Sequence, residues 1–551
     1  MAVRVVHALT MAAAATALLQ QPSFEPFRED LSAAATLVNA AADYDRDGDI
    51  DLFVGFNGSA NRFYLNNRGR LENVSVAAGI GDARSTRAAA WGDYDADGDA
   101  DLLVGFAPGL GSVLTVYRND LGRFIDVSIP TGVQIESGAV RQASWVDFDG
   151  DGDLDLYVGF RDRADVLFRN DEGKFADVAA SAGLADTRKT VGAVWFDYDE
   201  DGDLDLYAAH MDGDANGLYR NDAGRFTDVA DAAGLAWGGR APKAPANGTV
   251  RPCVADVDGD GRFDLFTANY GPNGLFLNRG GGRFEEVSAA WGVAIDGRYD
   301  TCAFADFDND GRIDLYVNGT VTGGVSHRDY LFRNTGSRFE EVTPDNLEGL
   351  AADHGALWAD FDRDGDEDLA LTGAAKTPLP LVLKNMLPSD AARRSVRVRV
   401  VDAAGRGTRA GAEVRLYEAG TRRLLGARLV DTGSSYNAQS DVPLHFGIAS
   451  PGRVDVEVIW PGGSRTPTRE TDVSAPSSSA GSRIRSALLR RCSWRDGARL
   501  RAAGTPSSLH PPDPARRSRR FSRPSTSSSE KACRGRSAIV CGWCTSRHSR
   551  R

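Results

Sequence analysis

Residues 147–156 read DFDGDGDLDL, and the same ten-residue pattern returns six more times along the chain. The copies are DYDRDGDIDL from Asp43, DYDADGDADL from Asp93, DYDEDGDLDL from Asp197, DVDGDGRFDL from Asp256, DFDNDGRIDL from Asp306 and DFDRDGDEDL from Asp360. Their spacings are 50, 54, 50, 59, 50 and 54 residues, the period of a repeat architecture. A large apolar residue stands two positions ahead of the first Asp (Trp91, Trp145, Trp195, Phe304, Trp358), at the end of an alternating segment. Behind each loop comes a run such as DLFVGF or DLYVGF, then LYRND or a variant, then a Gly turn into GRFTDV or GKFADV. That is four short strands per repeat between Gly, Asn and Asp turns. Four-stranded units repeated radially predict an all-β, seven-bladed β-propeller.

The ends of the array bear on closure. The seventh repeat reaches LPLVLKNM (379–386) but lacks the GRFxDV strand, while PSFEPFREDL near the N-terminus resembles it. The N-terminal segment is therefore expected to complete the last blade and leave no open sheet edge. An open solenoid is the alternative, with both ends uncapped. Residues 1–21 read as a secretory signal, with Arg4, the apolar run ALTMAAAATALL and a small-residue site at Ala15-Thr16-Ala17. The propeller is assigned to 22–390. SVRVRVV, AEVRLYE, LHFGI and RVDVEVIW mark a small separate β-sandwich-like domain at 394–470, and 471–551 has the Arg/Ser/Pro-rich composition of disorder.

Within D-x-D-x-D-G-x-x-D, carboxylates stand at positions 1, 3, 5 and 9, Gly at 6 permits the sharp turn, and position 7 offers its carbonyl, as in the first part of an EF-hand loop. In the first loop the carboxylates are Asp43, Asp45, Asp47 and Asp51, with Asp49 at position 7. The next three sets are Asp93, Asp95, Asp97, Asp101 with Asp99; Asp147, Asp149, Asp151, Asp155 with Asp153; and Asp197, Asp199, Asp201, Asp205 with Asp203. The last three are Asp256, Asp258, Asp260, Asp264 with Arg262; Asp306, Asp308, Asp310, Asp314 with Arg312; and Asp360, Asp362, Asp364, Asp368 with Asp366. Oxygen ligands in flexible loops favour Ca²⁺ over zinc or copper. About seven ions, mainly structural, are expected. At ten times its dissociation constant each would add about 1.4 kcal/mol.

Charge agrees with this. From Thr471 onward 18 Lys/Arg face 4 Asp/Glu, a net of +14; the other 470 residues carry 46 against 73, a net of −27. A body this acidic excludes nucleic acid as a partner class, and no later stretch has the ~20 apolar residues of a bilayer span. Cys253 and Cys302, each just ahead of an Asp loop, are read either as a disulfide or as two buried thiols. The CxxC at Cys541 and Cys544 lies in the tail.

The Asp loops with DLFVGF, DLLVGF and DLYVGF resemble FG-GAP/VCBS repeats, similar to the calcium-bearing blades of integrin α-subunit propellers. GTRAGAEVRLY, GSSYNAQSDVPLHFGI and VDVEVIWPGG resemble an ASPIC/UnbV domain. Propeller followed by ASPIC/UnbV is the order of the cartilage-acidic-protein-like family of secreted proteins. The resemblance covers 43–463 and implies export, calcium binding and adhesion or matrix contacts. After WPGG the text turns to Arg, Ser and Pro, read either as a shifted reading frame or as a basic tail for an acidic surface.

No catalytic residues are assigned: His210, His327, His354 and His445 pair with no nucleophile motif, and no phosphate-cradling Gly loop is present. The expected role is an exported recognition module for an extracellular or envelope polysaccharide or protein. The alternatives are a polysaccharide-active enzyme on the same scaffold and a scaffold without a discrete ligand. Candidate ligand contacts are Trp237, Arg240 and Lys243 in the insertion at 236–252, and His327 in TVTGGVSHRDY. Periplasmic retention, release and oligomeric state are left open.

Overall fold

The computed structural model describes residues 21–472 except 110, 323–324, 349, 351–353, 403–405, 408, 434 and 450–451. The signal segment and almost all of the basic tail lie outside the described residues. Each repeat forms one four-stranded antiparallel sheet, with strands A to D running from the axis outward. Blade 1 is Thr36–Ala42, Asp51–Phe56, Arg62–Asn66 and Leu71–Asn73. Blades 2, 3 and 4 repeat this from Thr86–Gly92, Val140–Val146 and Thr190–Phe196. Blades 5 and 6 start at Gly248–Ala255 and Asp296–Ala305. Their sheets join where Asp264–Pro272 pairs with Asp296–Ala305, and a disulfide links Cys253 to Cys302 between the two A strands.

Blade 7 is built from both ends of the propeller sequence. Ala356–Ala359, Asp368–Leu371 and Val382–Asn385 are strands A to C, and Phe24–Pro26 is strand D, with Phe24 opposite Asn385. The ring is closed, which removes the open edges a solenoid would carry. Large side chains fill the seams between blades. Trp91, Trp145 and Trp195 are fully buried, and burying such a side chain contributes about 1.5–3 kcal/mol. Trp145 stacks on Tyr94 of the preceding blade, and its indole N–H donates to the Ala90 carbonyl. It packs against Gly92, where a Cβ would meet the ring at 2.5 Å.

Blades 1 to 4 share an element the strand pattern lacks, and blade 6 has a further helical turn at Asp345–Glu348. A single helical turn follows strand D at Ser75–Ala78, Ser128–Thr131, Ala179–Ala182 and Ala230–Ala233. Each ends on a left-handed glycine, so Ser or Ala with Gly four residues on, after the NV or DV pair, is the signal for it.

The C-terminal domain has its own core and sheets and packs within the same compact unit as the ring. Its sheet orders Leu424–Leu429, Glu413–Glu418, Arg453–Ile459 and Arg465–Asp472. The last strand runs two residues past the expected boundary at 470: its backbone pairs with Arg453–Ile459 as far as Asp472. Ser395–Val398 pairs with Leu444–Gly447 beside it.

From this domain, residues 431–441 enter the middle of the ring. Ala438–Gln439 pairs in parallel with Ala89 and Ala90 of blade 2. The Gln439 amide accepts from Trp145 N–H at 2.6 Å and donates to the Trp145 carbonyl at 2.9 Å, in blade 3. Thr432 makes the same two-way exchange with Trp195 of blade 4 (3.1 and 2.7 Å). Ser440 accepts from Ala41 N–H of blade 1, and Ser435 donates to the Ala356 carbonyl of blade 7. From blade 5 the fully buried Arg251 donates to Asn437 Oδ1 at 2.7 Å, and also to Gln142. The segment thus supplies partners that the inward edges of the A strands would otherwise take from water. Replacing Gln439 with Leu strands both Trp145 backbone groups and should lower stability by about 2–4 kcal/mol. Urea unfolding midpoints read this, and a shift inside experimental error would show the plug to be dispensable.

Candidate metal centres

All seven Asp loops sit on one face, between strands A and B, and share one backbone course. The position-6 glycines (Gly48, Gly98, Gly152, Gly202, Gly261, Gly311, Gly365) have φ between 90° and 105°, a region closed to other residues. Position 4 is left-handed too, at Arg46, Ala96, Gly150, Glu200, Gly259, Asn309 and Arg363.

Position 9 is the structural anchor. Asp51 Oδ1 accepts from Asn66 N–H at 2.8 Å, and Oδ2 accepts from Tyr44 N–H at 3.1 Å. Asp101, Asp155, Asp205, Asp264 and Asp368 repeat both bonds, and Asp314 accepts from Asn334 N–H. The strand-C asparagines do more. Asn66 donates its side-chain amide to the Phe361 carbonyl of blade 7, and Asn119, Asn170, Asn221, Asn278, Asn334 and Asn385 each reach the position-2 carbonyl of the preceding blade's loop. Seven buried amides therefore stitch each loop to the next and close the circle. These asparagines stand in LYRND and its variants, where the sequence alone gives them no role.

Asp43, Asp45 and Asp51 bring one carboxylate oxygen each within 4.8 Å of one another, as do Asp93, Asp95, Asp101; Asp147, Asp149, Asp155; and Asp197, Asp199, Asp205. Positions 1, 3 and 9 thus converge. Position 5 is partly committed to the turn: Asp47 and Asp151 accept the N–H of Asp49 and Asp153 at 2.8 and 2.9 Å. Position-7 side chains serve elsewhere. Asp49 pairs with Arg363 of loop 7 and Asp99 with Arg46 of loop 1, while Arg262 and Arg312 fold back on Asp260 and Asp310.

Burial, followed by neighbouring carboxylates, raises the position-1 groups: Asp93 and Asp147 to about 6 and Asp197 to about 7. Burial lifts Asp51, Asp155 and Asp205 to about 9 against opposing backbone N–H bonds. Asp147 Oδ1 and Asp199 Oδ1 are buried without a hydrogen-bond partner. Converging carboxylates, crowded and partly unpartnered, fit a hard divalent cation. Positions 1, 3 and 9 would hold it, and its charge would cancel their mutual repulsion.

The C-terminal domain lies over this face. Arg397 pairs with Asp360 at 2.9 Å, Arg406 donates to the Ala96 carbonyl, and Gly462 N–H to the Gly202 carbonyl. Asn309 donates to the carbonyls of Ala391 and Ala392 and shares a 2.7 Å bond with His445 Nε2. A cavity of about 160 Å³ beneath the domain is lined by Trp358, Glu367, Arg428 and His445, among others.

The candidate ligand residues lie on the opposite face, in the D-to-A and B-to-C connections. Trp237 is half-buried and Lys243 exposed, while His327 is half-buried against Tyr299. Arg240 does not offer its charge to a ligand. It is 3% exposed, stacks over Trp237, and donates to Asp214 O, His210 O, Asn216 Oδ1 and Thr249 Oγ1. The guanidinium thus ties the insertion to the neighbouring segment 210–216, whose carbonyls it satisfies.

Family models place these features. The FG-GAP-like repeat matches 43–104, 147–208, 197–267 and 256–317, and the ASPIC and UnbV family matches 405–475. The chain is an FG-GAP-repeat protein with an ASPIC/UnbV domain. Curated relatives include cartilage acidic protein 1 of Mus musculus, 28% identical over 363 residues (61% of this chain, 54% of that protein). The Homo sapiens protein of the same name is 30% identical over 260 residues (45% and 37%). The chain spans about half or less of the length of these relatives. Among solved structures, an Agrocybe aegerita lectin specific for non-reducing terminal N-acetylglucosamine aligns with TM-score 0.35 and 18% identity (64% of this chain, 90% of that one). The exotype rhamnogalacturonan lyase YesX aligns with 0.40 and 13% (67% and 76%). Neither family description names an enzyme, and among the described residues no helix is long and apolar enough to cross a membrane.

His445 provides a pH test of the ASPIC/UnbV docking. Burial, then Arg397 and Arg428, lowers it to about 3 from 6.5. The unfolded chain then binds the proton that the folded chain refuses, so this contribution is present above pH 6.5 and lost as pH falls toward 3. The slope from one such group is at most about 1.4 kcal/mol per pH unit. Melting temperatures from pH 7 to pH 4 should therefore fall less steeply in His445→Gln than in the parent. Parallel curves would show that His445 is not the group responsible.

Proposed function

We propose that this FG-GAP-repeat protein is an exported, calcium-stabilised recognition propeller whose ligand surface is the face opposite the Asp loops. The observation that carries this is the placement of the ASPIC/UnbV domain. It covers the loop face and fills the ring's centre, which leaves the D-to-A and B-to-C connections as the exposed variable surface. There the insertion at 236–252 presents Trp237 and Lys243, and the hairpin after Val321 presents His327. Half-buried aromatic rings beside a cation suit stacking on sugar rings or on the side chains of a protein ligand. The Cys253–Cys302 disulfide suits an oxidising compartment.

Calcium serves the scaffold in this reading, and an extracellular polysaccharide or protein is the partner. The test is a glycan and matrix-polymer array probed with the full chain in millimolar calcium and again in EGTA, alongside a Trp237→Ala, Lys243→Ala double variant. Calcium should raise the melting temperature, and binding should disappear in EGTA and in the double variant. Binding that survives the double variant would move the ligand surface elsewhere. No binding under any condition would leave a scaffold role.

A further inference from the structure

The seven loops do not meet the same protein cations. Where strand C ends in Arg-Asn-Asp, the arginine is held by the Asp two residues on: Arg118 by Asp120 at 2.7 Å, Arg169 by Asp171 at 3.0 Å and Arg220 by Asp222 at 2.9 Å. In blades 2, 3 and 4 the cation thus has its ion pair with a carboxylate outside the loop, and among the described residues none is in an ion pair with its own loop.

Blades 5 and 6 already depart from this, with Arg279 2.8 Å from Asp258 and Arg333 2.6 Å from Asp308, each at position 3 of its own loop, but among the described residues neither blade has an ion pair at position 1. Blade 7 departs furthest. Its strand C ends Lys384-Asn385-Met386, and Met386 is 38% exposed and offers no carboxylate. Lys384 turns inward instead. Its Nζ contacts Asp362 and lies 3.0 Å from Asp364 Oδ2, positions 3 and 5 of its own loop. Position 1, Asp360, is 5% exposed and pairs with Arg397 of the ASPIC/UnbV domain at 2.9 Å. Position 9, Asp368, accepts the N–H groups of Phe361 and Asn385. Three of the four carboxylates a calcium ion would use are thus already paired. An ammonium between positions 3 and 5 stands where the ion would have to stand, and the two cations would repel strongly at that separation.

We propose that blade 7 carries no calcium and that Lys384 is its built-in cation, so the chain binds fewer ions than it has loops. The inference rests on the calcium reading of the other loops. It has a structural logic, because Lys384 pairs across the sheet with Glu25 of the N-terminal strand that closes the ring. A fixed ammonium neutralises the closing blade whether or not calcium is present.

The test is calcium stoichiometry of the full chain by equilibrium dialysis and native mass spectrometry. Lys384→Met should bind one ion more than the parent. Met386→Asp, which recreates the Arg-Asn-Asp arrangement at an exposed position and spares the core, should draw Lys384 outward and also add one. Arg220→Met, which removes a cation whose ion pair is with Asp222 outside the loop, should leave the count unchanged. A parent that binds seven ions, or a non-zero count unaltered by both Lys384→Met and Met386→Asp, overturns the proposal for blade 7 alone. A parent that binds none overturns the calcium reading of every loop, and this inference with it.

Discussion

The structure depends on burying a carboxylate at position 9 of every repeat. Such a group costs several kcal/mol to desolvate unless its oxygens are paired. In six repeats the fold pairs them with two backbone N–H groups, one from its own loop and one from the strand-C asparagine, and at Asp314 the asparagine alone donates. The same asparagine sends its amide across the seam to the neighbouring loop. A local solution to one buried charge therefore becomes the inter-blade link, and seven links make the ring. Closure through Phe24–Pro26 then completes a circuit in which no loop depends on only one neighbour.

A ring of seven blades has a second difficulty, the inward edges of its A strands. In this chain the ASPIC/UnbV domain answers it with residues 431–441, whose side-chain amides and hydroxyls copy the pairing a strand would give. Thr432 and Gln439 each bond both backbone groups of a tryptophan. Arg251 is the costliest piece, a fully buried guanidinium lowered by burial to about 10. It is tolerated because Gln142, Asn437 and the Tyr436 ring surround it.

Much of this was legible in the sequence, for identifiable reasons. Seven copies of one ten-residue pattern set the blade count, and a strand missing at one end and present at the other pointed to closure. The loop oxygens at positions 1, 3 and 9 were readable because a nine-residue spacing with Gly at 6 permits one course of backbone. The plug was not readable. GSSYNAQSD has the composition of a loop, and only the ring around it turns those polar side chains into backbone partners. Arg240 is legible only in three dimensions for a related reason: charge in an insertion looks exposed until the carbonyls of the 210–216 segment are brought against it. Position 5 has a second task that the spacing does not show, since the turn uses one of its oxygens.

These points set how the two faces divide their work. The Asp-loop face carries the highest density of negative charge and is covered by a domain that brings Arg397, Arg399, Arg406, Arg409 and Arg428 to it or close by. Cations from the protein and from solution therefore answer to the same carboxylates, and docking and ion occupancy are linked wherever an arginine reaches a loop. The opposite face carries no such obligation. Its connections vary in length, with the 59-residue spacing between blades 4 and 5 the largest. Variation is cheap there because a longer loop adds little entropy cost to an already closed ring. Surface that is free to vary, held on a scaffold that is not, is where a propeller can acquire a ligand.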